Sequence, residues 1–395
     1  MVLICVRMHL THKMNKTLKA YAIYTGGMIG VGIFGIPYAL MRSGAWPTLV
    51  TGAVVICMTF MIHLFAVEVI LMAKGKRQLP GYIGLYLGKT GKVLETIACV
   101  GGSVGALLAY LIVGGSFLVL FLSHFFVITP ITATLIYFVC ASSIVLWGKQ
   151  GHPVVHMIIY GLFVVVLLVL IWFSVSLFSP QNIPLIGNGL LTPFLLPYGV
   201  LLFAFWGVAL TPELVELTQG NRKIIRKALV YGFATALISY VIFSILIVGI
   251  SGVNTTEDAI GGLRNFGAVG QVVIMFGALF GVLTTFSSFL SVGRTLKRTM
   301  IYDFKFSNLG AWAIAMGLPL LLFVAGVNGF VKVLGVTGAV FLGLEGILVV
   351  LAYWVANFGS SKRSNAFASR KLLFVFGALL TVGVVVEILR VMRIF

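Results

Sequence analysis

The chain has 395 residues, 60% of them hydrophobic and only 9% charged, where a soluble domain carries ~25% charged residues. That composition excludes a soluble enzyme or binding module and describes a chain that crosses a membrane many times. The formal net charge of +18 does not signal nucleic acid, because the Lys and Arg lie in short loops between apolar runs and no compact basic domain exists to carry such a partner.

Apolar runs of about 20 residues cover a ~30 Å hydrocarbon core at ~1.5 Å per residue. They recur at 17–40, 46–73, 92–121, 127–146, 153–178, 193–217, 226–250, 267–292, 308–326, 332–354 and 371–391, numbered below as spans 1 to 11. With the N-terminus inside, 22 of the 27 Lys and Arg fall on the inner side, and only Arg42, Arg264, Lys332, Arg390 and Arg393 on the outer. This asymmetry predicts a multi-pass protein of the plasma membrane, with residues 1–16 a cytoplasmic segment and the C-terminus outside. Membrane lipids are then expected partners, the basic loops lying against anionic headgroups. Residues 1–6 form too short an apolar run for a cleavable signal. Span 1 is expected to act as the insertion signal, with residues 1–13 dispensable ahead of Met14. Cys5, Cys57, Cys99 and Cys140 contain no CxxC pair, so neither a disulfide framework nor a zinc site is expected.

Span 1 carries Gly26, Gly27, Gly30, Gly32 and Gly35, then Pro37. Each glycine costs a helix about 1 kcal/mol relative to alanine. Small-xxx-small packing would account for Gly26 and Gly30. It does not account for Gly30, Gly32 and Gly35 on different faces with a proline behind them. The pattern predicts unwinding at Gly30, Val31 and Gly32, whose amides begin an outer half-helix. A helix N-terminus holds an anion well, and the natural anion here is a substrate carboxylate. Unwound backbone in hydrocarbon survives only where it faces a cavity, an ion or a substrate.

In span 2, His63 and Glu68 read either as proton relays or as structural hydrogen-bond partners, as do His156 and Glu345 further on. Residues 74–91, with Gly81, Gly84 and Gly88, read either as a short surface helix or as a flexible connector. Tyr110 lies midway along span 3, and its hydroxyl needs a partner. A substrate carboxylate and a helix carbonyl both serve.

Span 6 breaks at Trp206-Gly207, and Pro212 follows Gly207 by five residues, as Pro37 follows Gly32. Taken singly, Phe203, Ala204, Phe205 and Trp206 would face lipid or core. Grouped beside a break at Gly207, they form an apolar wall for a neutral side chain. Five is odd, so spans 1–5 (17–178) and spans 6–10 (193–354) have opposite orientations and form two inverted repeats, with span 11 (371–391) outside them. Interrupted spans matched in two halves point to a binding site at the repeat interface. Glu213, at the inner end of span 6, is a candidate proton site or gating ion pair, whereas Glu216 sits near Arg222 as an interfacial residue. In span 8, Thr284, Thr285, Ser287 and Ser288 either bond within the helix bundle or supply oxygens to a hard cation. No HExxH, nucleophile elbow or GxxxxGK[ST] loop occurs. The chain is therefore not expected to be an enzyme, and transport without a nucleotide-binding element runs on an ion gradient.

At these motifs the chain resembles a known group. Gly27-Met28-Ile29-Gly30-Val31-Gly32-Ile33-Phe34 is similar to helix 1 of the amino acid/polyamine/organocation superfamily. Its continuation, Gly35-Ile36-Pro37-Tyr38-Ala39-Leu40, resembles the amino acid/auxin permease and aromatic amino acid permease branches. Thr211-Pro212-Glu213-Leu214, followed by Gly220-Asn221-Arg222 and Ala228, resembles the end of helix 6 and the loop beyond it. The resemblance implies an all-α integral membrane protein with a LeuT-type five-plus-five inverted-repeat bundle and an eleventh transmembrane helix. It implies ion-coupled secondary transport of neutral, large or aromatic amino acids, with no cofactor beyond a sodium ion or proton and no obligate protein partner. By position, the substrate carboxylate would rest on the amides of Gly30, Val31 and Gly32, and the amino group on carbonyls near Phe203, Ala204 and Trp206. A sodium ion would use carbonyls of Gly27, Gly30 and Gly281 with the hydroxyls of Thr284 and Thr285. Ser288 fits the same spacing one turn later. A passive channel or receptor-like membrane protein is the alternative.

Overall fold

A computed structural model describes residues 16–73, 75, 77–147, 161–162, 164–172, 177–187, 192–302, 304–358 and 368–392. Among these residues the secondary structure is helical throughout. Span 1 forms two helices, Lys16–Met28 and Gly32–Ser43, bent by 49° at the break between them. Spans 2, 3 and 4 lie in Ala45–Met72, Leu79–Leu122 and Pro130–Trp147. Residues 161–162 and 164–172 are helical within predicted span 5. The rest of that span, including His156, and residues 1–15 fall outside the described residues. Span 6 is Thr192–Ala204, a turn at Val208–Leu210, and Thr211–Leu217. Spans 7, 8 and 9 are Arg222–Ser251, Gly267–Tyr302 and Asn308–Val324. Span 10 runs from Phe330 to Phe358 through a π-helical stretch at Thr337–Leu342, and span 11 is Arg370–Val391.

Eight of these helices are long and apolar enough to cross a membrane, and the bent pair of span 1 makes a ninth. Span 9, at 17 residues, is a shorter apolar helix containing Pro319. Spans 3 and 10 lie at the centre: 67% and 72% of their apolar windows are buried, against 33% for span 4 and 22% for span 11. The outer two present Ile131, Val139, Phe374 and Val382 as an apolar exterior, suited to lipid.

Two boundaries depart from the sequence expectation. A helix begins at Leu79, bends at Gly88 (φ 68°, ψ −161°) and continues as span 3. The surface helix is therefore present ahead of the span, and the connector reading is not realised. Only glycine adopts that bend readily. The Tyr82 hydroxyl ties this helix back, donating to the Gly75 carbonyl at 3.2 Å and accepting from the Arg77 N–H at 3.2 Å. Span 8 continues ten residues past its predicted end at 292, to Tyr302. The apolar window stops at Arg294, but the helix does not. Its Lys297 ammonium donates to the Leu146 and Val145 carbonyls at 2.8 and 3.3 Å, a cation placed where the span 4 helix ends in unpaired carbonyls.

Glycines bring the two broken spans into backbone contact. A Cβ on Gly32 would sit 2.6 Å from the Ala204 Cα, so spans 1 and 6 touch at their breaks. A Cβ on Gly338 would lie 2.0 Å from the Gly199 carbonyl oxygen, which packs span 10 against the outer half of span 6.

Candidate substrate site at the two helix breaks

Both predicted breaks are present. In span 1 the inner helix ends at Met28, the Gly30 N–H turns back to the Met28 carbonyl at 2.9 Å, and a new helix starts at Gly32 with Val31 as its cap. The Ile33 and Phe34 amides that follow donate to the Gly30 and Val31 carbonyls at 3.5 and 3.1 Å, so the new helix opens with a tightened turn. In span 6 the helix ends at Ala204, and Gly207 takes φ −147°, ψ 18° before Pro212 opens the inner half near its start.

Two side chains from other spans satisfy the interrupted backbone. The Gly207 N–H donates to His63 Nε2 at 3.0 Å, while His63 Nδ1 lies 2.7 Å from the Thr59 carbonyl oxygen. A carbonyl only accepts, so the proton is on Nδ1. Nε2 must present its lone pair to Gly207, which makes the ring neutral. The Tyr240 hydroxyl of span 7 reaches the Met28 carbonyl at 2.8 Å and the Ala204 carbonyl at 3.1 Å. These are the last carbonyls of the two inner and outer half-helices, so one hydroxyl bridges both breaks. Of the two readings left open for His63, the structure gives it this hydrogen-bonding position. Tyr240 was not singled out from sequence. The signal was the same as for Tyr110, a tyrosine hydroxyl deep in an apolar span.

A cavity of about 1530 Å³ runs from the breaks toward the loops rich in Lys and Arg. Gly30, Val31, Gly32, Tyr110, Phe203, Ala204, Trp206 and Gly207 all line it. Phe205 does not. It is buried behind the break, stacked on Phe233 at 6.1 Å and edge-on to Tyr240 at 5.1 Å. Neighbouring residues at a helix end point different ways, so the aromatic wall consists of Phe203 and Trp206 without Phe205.

The predicted cation ligands divide, Gly27 and Gly30 lining the cavity and Gly281, Thr284 and Thr285 lying in the packing around span 8. Gly27 faces Leu210, and Gly281 packs on Phe117. The Thr285 hydroxyl donates to the Gly281 carbonyl at 2.7 Å and sits against Gly114 and Tyr137, toward spans 3 and 4. Thr284 is buried and, like Thr285 and Gly281, lies outside the cavity lining. Ser288, one turn further, does face the break: it lines the cavity, its hydroxyl oxygen is 3.5 Å from the position of a Gly30 Cβ, and it pairs with the Tyr110 hydroxyl. The residue spacing fits both registers, and Ser288 is the span 8 hydroxyl next to the Gly30 position.

Glu213 lines the same cavity from the inner half of span 6, exposed to it, and interacts with Arg298 of span 8. Glu68 pairs with Arg222, which follows the Gly220-Asn221 turn, where Asn221 caps span 7 through the Lys223 and Ile224 amides. Glu345 lines the cavity near Trp206, and Glu95 lies behind it. Glu95 was not singled out from sequence, although an intramembrane carboxylate is a functional candidate by default. It lies one turn inside the start of predicted span 3 at 92.

Beyond the break the path is closed. Phe34, in the outer half of span 1, packs on Phe117 at 4.5 Å and on Phe243 and Phe280 at 5.8 Å. Further out, the segment 179–187 lies across the end of span 1, with Ala45 and Trp46 donating to the Pro184 and Leu185 carbonyls at 2.8 and 3.1 Å. Glu257 accepts from the Val331 N–H at 3.0 Å, closing its loop onto the start of span 10.

Residues 13–390 match the tryptophan/tyrosine permease family. The tyrosine-specific transport system 1 of Haemophilus influenzae is 27% identical over 366 residues, covering 87% of this chain and 89% of that protein. Among solved structures, MhsT in complex with L-phenylalanine shares the LeuT-type fold at a TM-score of 0.66 and 16% identity, over 94% of this chain and 98% of that one. The family match spans nearly the whole chain and every described helix, and it shows a multi-pass amino acid transporter, not an enzyme: the chain belongs to the tryptophan/tyrosine permease family.

Proposed function

We propose that this chain is an ion-coupled importer of aromatic amino acids that holds its substrate between the breaks of spans 1 and 6. The observation that carries the reading is geometric. Two interrupted helices touch, and both line one cavity that opens toward a single side. The carboxylate is assigned to the amides of Gly30, Val31 and Gly32, and the amino group to carbonyls near Phe203, Ala204 and Trp206. Phe203 and Trp206 form the wall for the side chain, with Tyr110 and Ser288 opposite as polar contacts. The phenylalanine bound to the structural neighbour and the tyrosine specificity of the Haemophilus relative favour an aromatic substrate over a small one.

The positive-inside rule makes the open side cytoplasmic, and the Phe34 cluster is then the outer gate. In this reading the inverted halves 17–178 and 193–354 carry a bundle that rocks against spans 3, 4, 8 and 9, and Glu213 with Arg298 forms the inner gate. The wider kinship is to the amino acid/polyamine/organocation superfamily, in its amino acid/auxin or aromatic permease branch. A channel does not need a closed outer aromatic layer opposite a wide inner vestibule, and this favours alternating access. The test is uptake of tyrosine, tryptophan and phenylalanine into proteoliposomes, which should saturate and respond to an imposed proton or sodium gradient. Flux that never saturates, or that ignores both gradients, would reject it.

A further inference from the structure

Span 3 packs on span 10, where a Cβ on Gly102 would meet the Leu342 side chain at 2.9 Å, and this packing sets the buried carboxyls of Glu95 and Glu345 near each other, neither in an ion pair among the described residues. Glu95 is fully buried in span 3, and neither of its carboxyl oxygens has a hydrogen-bond partner among the described residues. The acidic group within electrostatic reach of it is Glu345. Glu345 is 3% exposed, has one oxygen without a partner, and lines the cavity next to the Trp206 indole at the span 6 break. Other titratable groups on the surrounding elements are engaged elsewhere. His63 is held neutral by Thr59 and Gly207. Glu68 pairs with Arg222, and Glu387 with Arg390. Lys92, on Glu95's own helix, is exposed and lays its stem along Gly84. Tyr353 packs on Phe65, and Arg370 lies over Phe358.

We propose that Glu95 and Glu345 form the proton-binding site that couples this transporter to the pH gradient, with Glu345 exchanging the proton with cavity water. The proposal rests on the transport reading above and names its coupling ion. Two neighbouring carboxyls buried without a counter-ion strongly resist being ionised together. While the cavity is open, water reaches Glu345, and the pair gains or loses a proton there. Once the cavity closes, no water or cation remains to balance a charge, and an unpaired buried ion is strongly disfavoured. The pair must then be protonated to be occluded. The only bond made or broken is O–H: water on one side gives the proton, and water on the other takes it back. Trp206 is next to Glu345 and is itself part of the substrate wall, so filling the site and drying the carboxyls belong to one event.

The test uses purified protein in proteoliposomes with equal sodium on both sides, comparing tyrosine counterflow with uptake driven by an inside-alkaline pH gradient. Wild type should show both. Glu345→Gln should continue counterflow and lose all stimulation by the gradient. Glu95→Gln, which leaves Glu345 without a repelling neighbour, should stay coupled but need a lower pH for half-maximal uptake, by about one unit. Gradient-driven accumulation by Glu345→Gln at the wild-type level would overturn the proposal. So would an unshifted pH profile in Glu95→Gln, a variant that decides the matter even if Glu345→Gln fails to fold. Wild-type counterflow combined with accumulation driven by sodium alone would overturn the proton assignment and leave the transport reading standing. Absence of wild-type counterflow would remove both.

Discussion

Gly32→Ala is the sharpest perturbation available, because its effect follows from one distance. The added Cβ falls 2.6 Å from the Ala204 Cα, 2.7 Å from its Cβ and 3.3 Å from its nitrogen. Ordinary carbon–carbon contact is ~3.5–4.0 Å, so the two breaks must part by about 1 Å. The obstacle is mostly backbone, which no rotamer change relieves. Overpacking of this kind costs about 1–3 kcal/mol, an amount a folded bundle can absorb. A site that needs both breaks in register is more sensitive, and ~1 Å of misplacement commonly lowers a preorganised reaction by about 100-fold. Gly52→Ala, in the span 2 helix and outside the site, is the internal control: its Cβ meets only the Leu201 side chain, in ordinary contact at 3.6 Å, and Gly52 does not have a positive φ. In tyrosine uptake normalised to folded protein, Gly32→Ala should lose between about 10- and 100-fold, and Gly52→Ala should stay near wild type. Equal uptake by the two variants would refute the reasoning.

Tyr240→Phe removes the hydroxyl shared by the Met28 and Ala204 carbonyls. Leaving buried acceptors short of a donor costs about 1–3 kcal/mol, to be seen as a lower unfolding temperature together with weaker uptake. His63→Ala should behave similarly through the Gly207 amide, with partial recovery in His63→Gln, whose amide oxygen can still accept. An unchanged melting curve in either position would contradict these assignments. Trp206→Ala should raise the KM for tyrosine by about 2- to 12-fold, the loss of one aromatic contact of about 0.5–1.5 kcal/mol, with less effect on kcat. In a cysteine-free background, Thr295→Cys, which lines the cavity, should react with an impermeant thiol reagent from the cytoplasmic side alone. Labelling from outside would reverse the orientation.

The membrane fold and the two interruptions were legible because glycine, proline and uncharged 20-residue runs act through local backbone physics. The surface helix ahead of Gly88 was half legible for the same reason. What packing decides was not. Thr284, Thr285 and Ser288 share a hydroxyl chemistry, and only the rotation of span 8 shows that Ser288 meets span 1. Phe205 and Trp206 are adjacent aromatics, yet one stacks on Phe233 and the other faces the cavity. His63 caps an amide 144 residues away, and no local pattern encodes that pairing. Glu345 stands out in the sequence as a carboxylate within an apolar span, but its neighbour Glu95 is set beside it only by the packing of spans 3 and 10.

The most direct test is a density map of the protein with bound tyrosine. The carboxylate should lie within hydrogen-bonding distance of the amides at Gly30, Val31 and Gly32, with the ring against Phe203 and Trp206. Tyrosine seated elsewhere in the vestibule, with the two breaks occupied only by water, would contradict the assignment of the site.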